Sequence, residues 1–459
     1  MLFNQYYLDC LSHASYLIGD ETSKRAVVVD PQRDVSEYIA DAEAAGMTIE
    51  LVIETHFHAD FLSGHLELAE ATGAKIVYSS VAKPEFDFIP VEDGQRYSLG
   101  DVWLEFRHTP GHTPESMSVV VYEHADDTVP YGVMTGDTLF IGDVGRPDLL
   151  GSIGFTKEEL ADKLYESLHT KLMTLPDSTK VYPAHGAGSA CGKNLSTELW
   201  STMGEQRKTN YALRASSKEK FVELVTEGQP PAPGYFVYNA ILNQKGRELL
   251  DETEMPAAMT YDEVREAMQA GAILVDGRDP EEFALGHLKG AVNIGLEGRY
   301  AEFAGSVVKP EDNIILFTDP ERVLEGKNRL GRIGFDRVIG YLSDPYAVMF
   351  DRRDDVAVAS RLTTNALGER IADVPELQLV DVRNPGETAA GMIARAVNIP
   401  VGQLPDRVGE LDPRKPTVVY CAGGYRSSVA ASLLRQRGFA DVSDLLGGYN
   451  AWEAATQNA

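Results

Sequence analysis

The stretch Glu54-Thr55-His56-Phe57-His58-Ala59-Asp60-Phe61 sets two histidines and a carboxylate close together. It follows Leu51-Val52-Ile53, a short apolar run rich in β-branched residues that reads as a buried strand. Imidazole and carboxylate together are ligands for a first-row metal such as zinc or iron, rather than for calcium or magnesium. A strand end suits them, because the sheet holds the loop rigidly while the loop meets solvent. A pair of surface histidines beside a turn is the alternative. The tight spacing and the partners further along speak against it.

Those partners are spread down the chain, as expected when a fold rather than one loop gathers the ligands. His112 lies in Thr109-Pro110-Gly111-His112-Thr113, and Asp137 in Thr135-Gly136-Asp137-Thr138 after the strand-like Tyr131-Gly132-Val133-Met134. His185 lies in Tyr182-Pro183-Ala184-His185-Gly186, after Lys180-Val181. Each leaves a short apolar run beside glycine or proline. Nine of the ten histidines precede residue 190, so the clustering is not accidental.

The order T-H-x-H-x-D, G-H-T, T-G-D-T-L-F and P-A-H-G resembles the metallo-β-lactamase superfamily. Within it, residues 1 to about 240 are most similar to the persulfide dioxygenases of the ethylmalonic-encephalopathy protein type. Hydrolases of the superfamily usually carry H-x-H-x-D-H, whose last histidine serves a second metal. Here that position is Phe61, which cannot bind one. The resemblance implies one iron(II) per chain, held by His56, His112 and Asp137. Two histidines and one carboxylate on one face leave three positions open, as an iron oxygenase needs for substrate and dioxygen. His58, Asp60 and His185 would then orient the ligands or the substrate. Arg146, in Gly145-Arg146-Pro147-Asp148, resembles a substrate contact of the dioxygenases; a salt bridge with Asp148 is the equal alternative. Tyr182 is a second candidate for substrate binding. Cys191, six residues past His185, could accept sulfur as an auxiliary thiol or could be a small buried hydrophobe.

At 459 residues the chain is too long for one ordinary core. Its composition, 43% hydrophobic and 24% charged, is ordinary for globular protein. A formal charge of −28 argues against nucleic acid and against anionic membrane. Met1 to Tyr7 contains no basic segment followed by an apolar core, and no 18-residue apolar run occurs, so neither a signal peptide nor a membrane span is expected. Three widely spaced cysteines, Cys10, Cys191 and Cys421, fit a reducing cytoplasm rather than a disulfide framework. Residues 15–30 read as a hairpin, Asp34 to Ala45 as a helix stopped by Gly46, and Leu66 to Ala71 as a short helix ended at Gly73. Alternation of this kind suits the superfamily's four-layer αββα sandwich.

Gly228-Gln229-Pro230-Pro231-Ala232-Pro233-Gly234 breaks the pattern. Beyond it the chain repeats itself. Val275-Asp276-Gly277-Arg278 matches Val380-Asp381-Val382-Arg383, and Ala291-Val292-Asn293-Ile294 matches Ala396-Val397-Asn398-Ile399, both offset by 105 residues. Asp351 to Asp355 reads as a solvated linker between the copies. In the second copy Thr417-Val418-Val419-Tyr420 runs into Cys421-Ala422-Gly423-Gly424-Tyr425-Arg426-Ser427, followed by a helix from Ser428 to Arg437. A thiol at a strand-to-helix turn meets backbone N–H groups and a positive helix end, which favour the thiolate. This resembles the rhodanese loop, with four residues between cysteine and arginine rather than the phosphatases' five. The resemblance implies catalytic Cys421 and Arg426, with Gly423, Gly424, Tyr425 and Ser427 lining the anion site. The first copy has Thr318-Asp319-Pro320-Glu321 at the loop, without a thiol, and is expected to be inactive.

The expected architecture is α/β throughout: a metallo-β-lactamase sandwich over residues 1–245, an inactive rhodanese over 256–350 and an active one over 360–459, both with parallel sheets. The whole resembles the bacterial fusions of persulfide dioxygenase with sulfurtransferase. These imply as partners a low-molecular-weight persulfide of the glutathione or coenzyme A type, dioxygen, and sulfite or thiosulfate; a homo-oligomer is left open. The rival reading is a thioester hydrolase of the glyoxalase II type, which would need two zinc ions.

Overall fold

A computed structural model describes residues 1–149, 154–229 and 232–457; Pro230 and Pro231 of the proline-rich break, and residues 458 and 459 at the end of the third expected domain, lie outside the described residues. The chain forms two compact units, Met1–Leu250 and Asp251–Ala459.

In the first unit, two six-stranded sheets face each other. One runs in the order Leu2–Leu8, His13–Asp20, Arg25–Val29, Thr48–Ile53, Lys75–Ser79, Ile89–Val91; the other Ser201–Thr202, Lys180–Pro183, Gly132–Gly136, Met117–Tyr122, Trp103–His108, Arg96–Ser98. Between them Tyr16, Ile18, Val27, Val29, Leu51 and Ile53 meet Leu104, Phe106, Val119, Val121 and Met134. Burial of each such side chain contributes about 2 kcal/mol. Tyr38, Ala42 and Leu68 pack helices Ser36–Ala44 and His65–Thr72 onto the outer face of the first sheet. Leu164, Phe221 and Val225 do the same for Lys157–Ser167 and Lys218–Thr226 on the second. The four layers are helix, sheet, sheet, helix.

Register brings the candidate ligands to one end of this sandwich. Val29 pairs in parallel with Ile53, so Asp30 and Glu54 leave the first sheet side by side. Gly136 pairs in parallel with Pro183, so Asp137 and the His185 segment leave the second sheet together. A backbone bridge between His13 and His185 joins the two sheets at that end.

The second unit contains two five-stranded sheets in which every pairing is parallel: Ala258–Met259, Val338–Leu342, Ile314–Phe317, Ile273–Asp276, Val292–Asn293, and Ser360–Leu362, Val442–Leu445, Thr417–Tyr420, Gln378–Asp381, Val397–Asn398. The order is the same in both copies. An Asp–Arg fork repeats as well: Arg278 Nη2 lies 2.6 Å from Asp276, and Arg383 Nη2 lies 2.6 Å from Asp381.

Two local expectations shift. The helix after the cysteine loop spans Tyr425–Gln436, three residues earlier than expected, because Gly424 at φ 121° turns the chain before it. The segment read as a linker is ordered: Asp351 ends the helix Pro345–Asp351, Arg353–Asp355 forms a 3-10 turn, and Val356–Ala357 pairs with His287–Leu288. Asp351 to Asp354 are exposed while the backbone is held, as where the Lys289 N–H donates to the Asp355 carbonyl.

Candidate active sites

At the ligand end of the sandwich, the tautomer of each histidine follows from what its other nitrogen touches. Thr55 Oγ1 donates to Asp30 Oδ2 at 2.8 Å and so accepts from His56 Nδ1 at 2.9 Å, leaving His56 Nε2 bare. His112 Nδ1 donates to the Arg146 carbonyl at 2.9 Å, leaving its Nε2 bare. Asp137 Oδ1 accepts from His185 Nδ1 at 2.7 Å, while Oδ2 points the other way. It lies 3.8 Å from His56 Nε2 and 3.4 Å from His112 Nε2. All three residues are buried, and neither His56 Nε2 nor Asp137 Oδ2 has a hydrogen-bond partner. Buried lone pairs converging without protons between them are costly unless a cation sits there. Atoms sharing one ion through bonds of about 2.1 Å lie roughly 3 to 3.5 Å apart; the 3.4 Å pair meets this and the 3.8 Å pair needs only a few tenths of an ångström of closure, so the donor set fits a single metal.

His185 stands between two carboxylates, with Nε2 2.8 Å from Asp60 Oδ2. Burial opposes a charge on it, but Asp137 and Asp60 outweigh burial and hold its imidazole well above the usual range. His58 turns aside: its Nε2 is 3.2 Å from Asp30 and 3.6 Å from Glu54. Donor atoms of His58, Asp60 and His185 still lie within 4.8 Å of one another, so a remnant of a second cluster persists. The Phe61 ring fills the slot beside it, 4.3 Å from the His58 ring and 4.0 Å from that of His13.

The other candidates divide. A donor atom of Cys191 lies within 4.8 Å of those of Asp137 and His185. The thiol is buried, and burial together with Asp60 and Asp137 pushes its pKa well up. Arg146 is buried, with Nε and Nη2 forked onto Asp148 at 2.7 and 2.8 Å and Nη1 on the Ala190 carbonyl, so its guanidinium is already paired. Tyr182 lies away from these groups. Its ring lies in the core between the sheets, among Phe3, Tyr16 and Tyr131, because strand alternation directs it there and not toward the metal ligands. Asn243 escaped the sequence reading: its Nδ2 donates to the carbonyls of His58 and Phe61, and its Oδ1 accepts from the Ser63 N–H. Lying 182 residues from Phe61, it carries no local signal.

In the second unit, strand Thr417–Tyr420 ends at Cys421, whose side chain is 1% exposed. The Gly424 N–H donates to its Sγ at 3.0 Å, and Ser427 Oγ lies 3.6 Å from Sγ. Gly423 borders open space. Arg426 forks onto Glu387 with both contacts at 2.7 Å, a partner 39 residues away in the Asn384-Pro385-Gly386-Glu387 turn. The Tyr425 hydroxyl donates to the Gly295 carbonyl at 2.7 Å. In the first copy Asp319 accepts from the Tyr346 hydroxyl at 2.7 Å, where the loop continues into the turn Pro320–Arg322.

The metallo-beta-lactamase superfamily model matches residues 8–185, and the rhodanese-like domain model matches 260–342 and 363–455. A metallo-beta-lactamase from Staphylococcus aureus subsp. aureus COL is 34% identical, with 74% of this chain and 98% of that one covered and a TM-score of 0.67. The chain belongs to the metallo-β-lactamase superfamily. To that domain it joins tandem rhodanese-like domains. Among curated relatives of this superfamily, the mitochondrial persulfide dioxygenase ETHE1 of Bos taurus is 32% identical over 221 residues, 48% of this chain and 78% of that protein. The cytoplasmic hydroxyacylglutathione hydrolase of Arabidopsis thaliana is 33% identical over 183 residues, 39% of this chain and 66% of that one. Among the described residues, no helix is long and apolar enough to cross a membrane.

Proposed function

We propose that the chain oxidises a thiol persulfide in its first unit and transfers sulfane sulfur in its second. The carrying observation is the convergence of His56 Nε2, His112 and Asp137 Oδ2, buried and without protons between them, beside a Phe61 that excludes a further imidazole. Iron(II) held by these three residues would supply the dioxygen chemistry. Overall, persulfide, dioxygen and water give the free thiol and sulfite. The chain's own residues keep the ligands in place. Thr55 and the Arg146 carbonyl hold the two imidazoles in the ligating tautomer. His185, held between Asp60 and Asp137 at 2.8 and 2.7 Å, fixes the carboxylate and leaves Oδ2 free. Cys191 places a sulfur within 4.8 Å of donor atoms of Asp137 and His185, at hand for the sulfur end of the substrate.

At Cys421 the thiolate attacks the outer sulfur of a second persulfide, forming Cys421–S–S⁻ and releasing the thiol. Sulfite then attacks the outer sulfur of that adduct, giving thiosulfate and restoring the thiolate. The Gly424 N–H and the helix start stabilise sulfur's negative charge at both stages. Arg426, neutralised in part by Glu387, adds a guanidinium without making the loop broadly cationic.

The test is oxygen uptake by anaerobically iron-loaded protein given glutathione persulfide or coenzyme A persulfide, with sulfite and thiosulfate quantified. Uptake ending mainly in thiosulfate is expected. The surviving His58, Asp60 and His185 cluster favours a second reading, thioester hydrolysis with two metals. Hydrolysis of S-lactoylglutathione with two zinc ions per chain, and no oxygen uptake, would establish that reading instead.

A further inference from the structure

The inactive rhodanese copy has lost its thiol, yet its residues 293–298 are shaped around a side chain of the active loop. We propose that this copy is the fixed half of the sulfur-transfer site, with Tyr425 the positioning residue that carries its geometry to Cys421. The inference rests on the sulfurtransferase reading of Cys421.

Three consecutive loop residues are committed in three directions. Gly424 donates its N–H to Cys421 Sγ, Tyr425 reaches into the inactive copy, and Arg426 forks onto Glu387. The Tyr425 hydroxyl is held by the Gly295 carbonyl at 2.7 Å, and its ring centroid lies 5.4 Å from that of Phe303. A Cβ at Gly298 would stand 2.3 Å from Tyr425 Cε2, and one at Gly295 would stand 3.4 Å from the same atom. Neither glycine has a left-handed backbone. Room for the ring, not conformational freedom, is what requires glycine at 298.

The contact continues along one face of the helix. Ser428 Oγ donates to Asn293 Oδ1 at 2.6 Å, and the Asn293 N–H donates to Ser432 Oγ at 2.9 Å. Positions 425, 428 and 432 share a helix face by spacing. Asn293 is itself fixed, its Nδ2 donating to the carbonyls of Asp276 and Arg278 at 3.1 and 2.9 Å. A polar chain thus runs from the inactive copy's sheet to the helix that begins one residue after Gly424. Because Gly424 and Arg426 flank Tyr425, displacing its ring moves the N–H on the thiol and the guanidinium together.

The full chain is assayed for sulfur transfer from thiosulfate to cyanide, which yields thiocyanate and sulfite. Gly298→Ala is expected to lower kcat about tenfold with KM for thiosulfate changed less than about twofold, since it misplaces reacting groups rather than removing a binding contact. Tyr425→Phe, which removes only the hydroxyl, should give a smaller loss in the same direction. In a Tyr425→Ala background Gly298→Ala should have no further effect. A Gly298→Ala chain with unchanged kcat, a change confined to KM, or an equal loss in the Tyr425→Ala background would each overturn the proposal. Alkylation of Cys421 by iodoacetamide, followed by mass spectrometry, reads the loop without turnover. If the unmodified chain makes no thiocyanate, the sulfurtransferase reading fails on its own. A changed alkylation rate in Gly298→Ala would then still support the linkage, and an unchanged rate would overturn it.

Discussion

Side chains at both sites are defined by what stands behind them. His56 can ligate because the Thr55 hydroxyl spends its only proton on Asp30, and His112 because a carbonyl takes its Nδ1 proton. Cys421 is tested most simply at this scale. Cys421→Ser removes the only sulfur in the loop, so sulfur transfer should fall to background while oxygen uptake persists and the end product changes from thiosulfate to sulfite. Sulfite and thiosulfate quantification after persulfide addition checks both halves. Phe61 supports a second prediction. With His58, Asp60 and His185 already within 4.8 Å of one another, Phe61→His adds an imidazole in the slot now filled by the ring. Zinc bound per chain, measured by elemental analysis after loading, should rise from about one to about two. A content that stays at one would show that the slot is closed by His13 instead. His56, His112 and Asp137 were legible in the sequence because each sits in a short motif at a strand exit. Asn243 and the pairing of Arg426 with Glu387 were not, because folding alone makes them neighbours.

Among the elements, the helix His65–Thr72 is tied to the far end of its unit by charge. Glu67 is buried between Arg33 Nε at 2.8 Å and Arg247 Nη2 at 2.9 Å. Burial would raise its carboxyl, but Arg247 and then Arg33 hold it below the usual 4.5. A depressed carboxyl contributes stability that is full above its unfolded value and is lost as pH falls through the folded one. Glu67→Gln leaves two guanidiniums without their anion and should cost about 3 kcal/mol at pH 7, measured by denaturant unfolding. The difference between variant and wild type should begin to shrink as pH falls below about 4.5, where the unfolded chain's carboxyl takes a proton, and vanish only below the lower folded value. Helix and strand placement was largely readable, as with Gly46 and Gly73, whose φ values of 65° and 77° end helices where expected. The start of the helix after Cys421 was not, since it depends on how Gly424 turns rather than on periodicity.

At the scale of the whole molecule, one chain carries both kinds of domain, and under the proposed function the site that makes sulfite is tethered to the one that consumes it, at an effective site concentration that linkers can raise to roughly millimolar. Mixing an oxygen-inactive His56→Ala chain with a Cys421→Ser chain, each at the wild-type concentration, separates the activities without truncating either. Free sulfite, followed in time after persulfide addition, should rise higher and last longer in the mixture than in the wild type. Equal time courses would show that the tether contributes nothing. The sequence by itself determined the sandwich followed by two copies of one domain, the absence of a thiol from the first copy's loop, and which residues are candidates for the metal and sulfur sites. These follow from residue type, period and local turn chemistry. Tertiary structure alone decided which nitrogen of each histidine is free, that Tyr182 belongs to the core, and that Tyr425 points into the first copy. Each of these is a matter of side-chain direction, set by partners that only the folded chain brings within hydrogen-bonding or van der Waals reach.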